Sequence, residues 1–165
     1  MNIEFIKARE NEMETFRNIY EFYLYDFSKF LELDVNENGR FFVNETEEYI
    51  NNEYTDAILI KKDGKYAGSM LVLKKRDINV IEEFGIMPKY RNGFFTYKVI
   101  REYFLNNTKT TKFTVLNENK EWLKCIEYMI RKNSDICEII EKREIVYHKS
   151  KEKKYKFTSF LVKHV

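Results

Sequence analysis

The chain has 165 residues, of which 44% are hydrophobic and 34% are charged, and its formal net charge is +2 at pH 7. This length and hydrophobic content provide enough apolar side chains for one core, so we expect a single domain over residues 1–165 and exclude a disordered chain. Positive and negative residues alternate along most of the sequence, so the small net charge says little about partners.

The N-terminal residues predict a strand followed by a long amphipathic helix. Residues 3–6 form the predicted strand, and Asn11 is expected to cap the helix. The apolar stripe of this helix has the spacing of one helical face. It consists of Met13, Phe16, Ile19, Tyr20, Tyr23 and Leu24. A polar turn cluster follows at residues 34–39.

A second helix and a hairpin are predicted next. The helix is short and is expected to run from Asn44 or Glu45 to Asn51. Strands over residues 57–60 and 66–73 flank Asp63-Gly64, a dipeptide that strongly predicts a hairpin turn.

The remaining sequence alternates strands and helices before a terminal hairpin. We find no internal repeat, no linker and no low-complexity tract, which favours one mixed α/β domain. The predicted order is a strand at 78–86, a helix at 93–105, a strand at 113–116, a helix at 120–131, and hairpin strands near 138–148 and 155–163.

The most informative stretch is residues 81–105, where a strand leads through a basic turn into an amphipathic helix. The strand ends with the adjacent carboxylates Glu82 and Glu83, and the turn is Pro88-Lys89-Tyr90-Arg91. The first turn of a helix has unpaired N–H groups and the positive end of the helix dipole, so it can hold a phosphate. Candidate bases therefore lie close in sequence to a candidate anion site.

This stretch resembles the signature of the GCN5-related N-acetyltransferase (GNAT) family. That signature has an acidic residue, an aromatic and Val or Ile at the end of the fourth strand, followed by Arg-x-x-Gly-x-Gly/Ala. The matching residues are Glu83, Phe84, Ile86, Tyr90 and Arg91. Residues 82–87 with Tyr90-Arg91 are most similar to the Glu-Asp-Phe-Phe-Val-Met and Tyr-Arg of members that acetylate small amines.

The resemblance implies a mixed, mostly antiparallel central sheet with helices on both faces and splayed fourth and fifth strands. It implies acetyl coenzyme A (acetyl-CoA) as cosubstrate, with its pantetheine arm along the edge of the fourth strand at Phe84, Gly85 and Ile86. The backbone of the following loop would meet the pyrophosphate. That loop comprises Arg91, Asn92, Gly93, Phe94, Phe95 and Thr96.

The phosphate loop departs from the family pattern at both glycine positions. Phe94 and Thr96 occupy them, and Gly93 lies one residue early. Glycine allows backbone N–H groups to approach a pyrophosphate without a side chain in between. We expect the Phe94 ring to obstruct the site partly and to weaken cofactor binding.

The candidate general base is one of the two adjacent glutamates. Successive residues of a regular strand point to opposite faces, so only one of them faces the substrate unless a bulge intervenes. Likeness to the amine acetylases favours Glu82 over Glu83. The alternative is that both are structural, one facing solvent and the other paired with a lysine.

The candidate general acid of the family is absent. The helix after the fifth strand carries Asn-x-x-Ala-x-x-Phe-Tyr in many members, and Asn119 fits its first position as a cofactor-binding residue. Ile126 stands at the Tyr, and Tyr128 is about 200° further around the helix. Water could protonate the thiolate product instead.

The expected acceptor is the primary amine of a small molecule. Helix ends near Tyr25 and Asp26 border the acceptor site in the family, so these are the candidate substrate-binding residues. Most aromatic residues around them are better explained as core. The alternative function is a non-catalytic GNAT-fold domain that has lost the cofactor and acts through protein contacts. Dimerisation is common in the family, so a homodimer is a further expectation.

No other partner class is indicated. The Lys-rich run at residues 149–154 could bind nucleic acid, but a solvated hairpin turn explains it better. The apolar runs are too short for a membrane span and no secretory signal is visible, so we expect a cytoplasmic protein without a membrane partner. Cys125 and Cys137 lack metal-ligand spacing, which indicates buried thiols and no metal site.

Overall fold

The computed structural model describes residues 1–41, 45–149 and 153–165. It contains seven strands and four helices in these residues, with short 3-10 turns at Glu10–Glu12 and Pro88–Tyr90. In chain order the elements are β1 (Ile3–Lys7), α1 (Met13–Leu31), α2 (Glu45–Ile50), β2 (Thr55–Lys62), β3 (Lys65–Lys74), β4 (Ile78–Ile86), α3 (Gly93–Asn106), β5 (Thr110–Leu116), α4 (Lys120–Lys132), β6 (Cys137–His148) and β7 (Lys154–His164).

The strands form one sheet in the order β1-β2-β3-β4-β5-β7-β6. The ladders β1–β2, β2–β3, β5–β7 and β6–β7 are antiparallel. The ladder between β4 and β5 is parallel and pairs residues 78–81 with residues 110–113. The predicted α/β class with a mixed, mostly antiparallel sheet is confirmed.

The chain forms two compact units, the first of which comprises residues 1–74 and 82–92. Its core lies between α1 and the hairpin of β2 and β3, where the predicted stripe of α1 buries Phe16 and Tyr20 against Leu59 and Leu71. The hairpin turn has positive φ at Asp63 (49°) and Gly64 (77°). This is the twist that a two-residue turn requires, so the Asp-Gly prediction is confirmed.

The start of α1 differs from the prediction. Asn11 lies in the 3-10 turn Glu10–Glu12, and Glu12 occupies the N-cap position. The Glu12 carboxylate accepts a hydrogen bond from the Arg9 backbone N–H at 3.0 Å. The prediction that Asn11 caps α1 is therefore wrong. The predicted start of α2 at Asn44 lies outside the described residues, as do residues 150–152 of the Lys-rich run.

The second unit comprises residues 75–81 and 93–165. Helix α3 buries Phe95, Val99, Ile100 and Phe104, and α4 buries Ile126, Met129 and Ile130. Asn133 ends α4 and is buried, and its side-chain amide donates to the Met129 carbonyl at 2.9 Å. Apolar residues of β5 and β7 complete this core, among them Phe113, Phe160 and Val162.

Candidate active site

The turn after β4 is fixed by Arg91. Its Nε donates to the Ile86 carbonyl at 2.6 Å, and its guanidinium forms an ion pair with Asp26 of α1. The backbone N–H of Tyr90 donates to the Met87 carbonyl at 2.8 Å. The arginine side chain therefore holds the end of β4, the turn and α1 together within the first unit.

Two glycines allow β3, β4 and α1 to approach closely. A Cβ on Gly68 of β3 would lie 2.2 Å from the carbonyl oxygen of Gly85, and a Cβ on Gly85 would lie 2.9 Å from Cδ2 of Tyr23. Both distances are far shorter than van der Waals contact, so neither position accepts a side chain without movement. Beside Gly85 the close neighbour is a tyrosine ring, whereas Gly68 accommodates the approaching backbone.

The predicted pantetheine edge lies on β4. Phe84 and Ile86 are buried with 6% and 2% of their surface exposed, and Gly85 is half-buried. Side chains at Phe84 and Ile86 thus belong to the core. Any contact with a ligand at these positions would come from the backbone, as the resemblance to the GNAT signature implies.

The two candidate bases have different surroundings. Glu82 is exposed, whereas Glu83 is half-buried and lies near Tyr23 of α1. Burial raises the pKa of Tyr23 well above its usual range, and the charge of Glu83 raises it further. Of the two carboxylates, Glu83 is therefore the one placed beside α1.

A small pocket with a cavity volume of about 10 Å³ lies beside Glu83 and Tyr23, within the first unit. Tyr23 and its helix neighbours Ile19 and Phe22 line one side, and Gly85 and Arg91 lie on the β4 side. Glycines at the wall expose backbone, and the aromatic rings give it an apolar side. A cavity of this size has room for about one water molecule.

The first turn of α3 carries the predicted phosphate-binding residues. Phe95 and Thr96 are buried, with 0% and 3% exposed, so their side chains serve the core. Phe94 is 63% exposed, and the Lys98 ammonium lies 5.7 Å from its ring centroid. Phe94 does not fold into the core. A Cβ on Gly93 would meet only the end of Met129, at 3.5 Å.

The charge at this helix terminus favours an anion. The first turn of α3 has no acidic residue, whereas α1 and α4 carry Glu14 and Glu121 in theirs. Asn92 precedes the helix and its backbone N–H donates to the Tyr90 carbonyl at 2.8 Å. The positive end of the α3 dipole is thus not offset by a carboxylate of its own first turn.

The remaining predicted site residues have plain structural surroundings. The side-chain oxygen of Asn119 accepts a hydrogen bond from the Trp122 backbone N–H at 3.3 Å and so caps α4. Ile126 is buried and Tyr128 is 57% exposed. Tyr25 is 70% exposed, next to the Arg91-bound Asp26.

The partners of the predicted residues are not visible in the sequence. Tyr23 is predicted as a residue of the apolar stripe and of an aromatic cluster that is better explained as core, and no role is predicted for Gly68. A glycine inside a predicted strand indicates a close backbone approach, so Gly68 carried a usable signal. The proximity of Tyr23 to Glu83 brings together residues far apart in sequence and had no local signal.

Neither a metal site nor a membrane-spanning helix is found in the part of the chain that the structure describes. No group of three or more His, Cys, Asp or Glu side chains there could hold a metal ion. No helix within those residues has the length and apolar character needed to cross a membrane.

Comparison with known proteins gives similarity in structure only. No protein-family model and no curated protein matches the sequence. Among solved structures, spermidine N-acetyltransferase from Vibrio cholerae, in complex with CoA and spermine, has a TM-score of 0.64 at 11% identity and covers 98% of this chain and 95% of its own.

Two further solved structures have the same architecture. Ribosomal-protein-S18-alanine N-acetyltransferase from Escherichia coli has a TM-score of 0.60 at 11% identity, covering 99% of this chain and 94% of its own. A GNAT-family acetyltransferase from Streptococcus pneumoniae has a TM-score of 0.56 at 14% identity, covering 99% of this chain and 100% of its own.

Proposed function

We propose that this chain, which has the fold of the GNAT acetyltransferases, transfers an acetyl group from acetyl-CoA to the primary amine of a small molecule. One observation carries the proposal: β4 holds two adjacent carboxylates and leads, through a turn fixed by Arg91, into a helix whose first turn has no acidic residue. We take residues 1–165 as a single N-acetyltransferase-like domain, because solved acetyltransferases align with nearly the whole chain.

The residues of the β4 end and the α3 start fit the groups of acetyl-CoA. Backbone groups of Phe84, Gly85 and Ile86 would hold the pantetheine arm as an added strand is held. Free N–H groups of the first α3 turn would hold the pyrophosphate. The residues of that segment are Arg91, Asn92, Gly93, Phe94, Phe95 and Thr96, and Asn119 would contribute from the start of α4.

Acetyl transfer to an amine needs a base and releases the thiolate of coenzyme A. Acetyl-CoA supplies an acetyl group activated as a thioester. The carboxylate pair Glu82 and Glu83 provides the base, which takes a proton from the ammonium so that the neutral amine can attack. No phenol replaces the family tyrosine at Ile126, so water is the proton donor in our proposal, as expected from the sequence.

The surroundings of the base suit a small cationic acceptor. Glu82 and Glu83 attract an ammonium group, and the exposed Tyr25 ring offers a cation–π surface next to the Arg91-bound Asp26. A solved spermidine N-acetyltransferase shares the fold. These features support a small amine as acceptor, and a cytoplasmic location belongs to the same proposal.

Thermal unfolding with acetyl-CoA tests the cofactor assignment. A ligand that binds only the folded chain at a hundredfold excess over its Kd stabilises it by about 2.7 kcal/mol. We expect a rise in Tm with acetyl-CoA and a smaller one with S-acetylpantetheine, which lacks the pyrophosphate. No rise at millimolar acetyl-CoA would contradict the enzyme proposal and favour a non-catalytic GNAT-fold domain.

We also propose a homodimer that forms along the edge strand β6. In an antiparallel pairing centred on Ile145, the odd-numbered residues of two copies would oppose each other on one face. Arg143 would then lie opposite Tyr147, and Glu141 opposite Lys149. Tyr147 is 60% exposed, and the other three of these side chains are exposed as well. The charges and the ring are complementary in this register.

A further inference from the structure

We propose that the acceptor is an arylalkylamine, a monoamine that carries its one ammonium group on an aromatic body. This inference rests on the proposed function, because it names the class of small amine that the same site takes. Three features of α1 support it: exposed aromatic rings, the place of these rings beside the end of β4, and the charges around them.

The first argument is that the core does not use all the aromatic rings of α1. Within this helix only Phe16 and Tyr20 are fully buried. In its second half, Phe22 is 52% exposed and Tyr25 is 70% exposed. Aromatic rings favour contact with other rings, either offset-stacked or edge to face. These two rings are therefore available to the aromatic part of a ligand.

The second argument is the place of the two rings. Residues at spacings of three and four lie on one face of a helix, and this face of α1 comprises Phe22, Tyr25, Asp26 and Lys29. Phe22 lines the small pocket together with Gly85 of β4 and Arg91 of the turn. Asp26 forms its ion pair with the same Arg91. The face thus lies beside the end of β4, where the acceptor amine is expected to react.

The third argument is that the carboxylates of α1 nearest to the Phe22 ring are already paired. Asp26, one turn beyond Phe22, binds Arg91, and the Glu21 carboxylate lies 2.6 Å from Nε of Arg40. A polyamine has further ammonium groups several bonds away from the reacting nitrogen. Such a group would have to break one of these ion pairs or lose water without gaining a partner, and both are unfavourable.

The charge that remains on this face of α1 is positive. Lys29 follows Tyr25 by one turn, and its ammonium lies 4.8 Å from the centroid of the Phe30 ring. Because Asp26 is neutralised by Arg91, the face repels a second ammonium group and accepts an uncharged ring. Charge disfavours a polyamine, and the exposed rings favour an aromatic monoamine.

The first test compares three amines in steady-state kinetics at saturating acetyl-CoA: 2-phenylethylamine, ethylamine and spermidine. Ethylamine has the same reacting group as 2-phenylethylamine but lacks the ring. We expect kcat/KM for 2-phenylethylamine to exceed the other two values at least tenfold. A preference for spermidine, or equal values for 2-phenylethylamine and ethylamine, would overturn the inference.

The second test removes the rings one at a time. Phe22→Ala and Tyr25→Ala should each raise KM for 2-phenylethylamine about tenfold and leave KM for ethylamine and for acetyl-CoA unchanged. The matched control is Tyr54→Ala, since Tyr54 precedes β2 and is 62% exposed. This control should change none of these values. An unchanged KM for 2-phenylethylamine in both ring variants would mean that the rings do not contact the acceptor.

A third variant should reverse the preference. Tyr25→Glu places a carboxylate on the same face, where it can pair with the second ammonium group of spermidine. We expect the ratio of kcat/KM for 2-phenylethylamine to that for spermidine to fall at least tenfold. A ratio that stays the same would contradict the charge argument and, with it, the inference.

A further measurement does not depend on turnover. Calorimetric titration of 2-phenylethylamine into the chain with CoA should show binding with a negative heat-capacity change, and a Kd raised about tenfold in Phe22→Ala. If the ring variants instead change the oligomeric state in sedimentation and leave this Kd unchanged, the face is a contact between copies and the inference is wrong. A wild type that binds no acetyl-CoA and acetylates none of the three amines would overturn the proposed function and the acceptor class together, whereas acetylation with a preference for spermidine would overturn the acceptor class alone.

Discussion

Phe94 is the residue at which residues 91–96 depart most from the GNAT signature that they resemble. Its ring is 63% exposed at the first turn of α3, so its removal exposes little new apolar surface. We expect Phe94→Ala to change the free energy of unfolding by no more than about 0.5 kcal/mol. If the ring obstructs the pyrophosphate, acetyl-CoA should bind about tenfold tighter, a gain of about 1.4 kcal/mol.

Calorimetric titration and urea unfolding together decide the role of Phe94. Phe94→Gly serves as a comparison, since glycine opens the loop further but costs about 1 kcal/mol more than alanine inside a helix. Weaker binding in both variants would mean that the ring contacts the cofactor. In that case our expectation of an obstructed site would be wrong.

Residue identities indicate a candidate site only where the signal is local. Glu82, Glu83 and Arg91 could be proposed because a strand, a turn and a helix follow one another in sequence. The use of Arg91 could not be predicted, because its ion pair with Asp26 depends on the packing of α1 beside the turn. The same holds for Tyr23, which reads as one more apolar residue of a helical stripe.

At the scale of elements, the sequence predicted every strand and helix found in the described residues. The bounds of β4 were right because its apolar run lies between polar residues and a proline turn. The predicted cap of α1 was wrong, since three polar residues in a row offer several cap positions and the 3-10 turn Glu10–Glu12, closed by the bond from Arg9 N–H to the Glu12 carboxylate, moves the start of the helix to Met13. The hydrophobic periodicity of a helix or strand is encoded in its local sequence, whereas the exact position of its end is encoded there less strongly.

Asp56 of β2 joins three strands of the first unit. It forms ion pairs with Lys7 of β1 and with Lys74 of β3, the latter at 3.0 Å. Burial alone would raise the pKa of Asp56, but hydrogen bonds from both lysines outweigh it and lower the pKa from 3.8. The same contact with Asp56 raises the pKa of Lys7 from 10.5, against the effect of burial.

These shifts predict how Asp56 stabilises the fold as pH changes. A lowered carboxylate pKa stabilises the folded state above about pH 4, the unfolded value, and this stabilisation is lost as pH falls through the folded value. A lysine whose pKa is raised in the folded state stabilises that state below about pH 10.5, and this stabilisation is lost as pH rises through the folded pKa. We expect Asp56→Asn to cost about 1 kcal/mol at pH 7, after allowance for solvent screening, and progressively less below pH 4.

Urea unfolding from pH 2.5 to 8 measures this difference. Asp77 lies exposed before β4, so Asp77→Asn is the control and should show little difference at any pH. A cost for Asp56→Asn that persists unchanged at the lowest pH would mean that the asparagine disturbs packing. The ion pairs would then not be the source of the stability.

The whole molecule presents β6 at one edge of the sheet, and the proposed dimer makes a prediction about that edge. Glu141→Lys would place a lysine opposite Lys149 of the second copy, twice in each dimer. Opposed side-chain pairs contribute about 0.2–1 kcal/mol each, so we expect Kd for dimerisation to rise about tenfold. Lys149→Glu alone should weaken the dimer to a similar extent, because it places a glutamate opposite Glu141.

The double variant Glu141→Lys with Lys149→Glu restores opposite charges across the interface while leaving composition and net charge unchanged. Sedimentation equilibrium should therefore give it a Kd close to that of the wild type. Within one chain, Glu141 Oε1 also lies 3.1 Å from Arg143 Nε. If loss of this intramolecular ion pair were the cause, dimerisation would be weakened equally in Glu141→Lys and in the double variant. A wild-type chain that stays monomeric at high micromolar concentration would exclude the β6 dimer, and dimerisation without rescue by the double variant would exclude the register centred on Ile145.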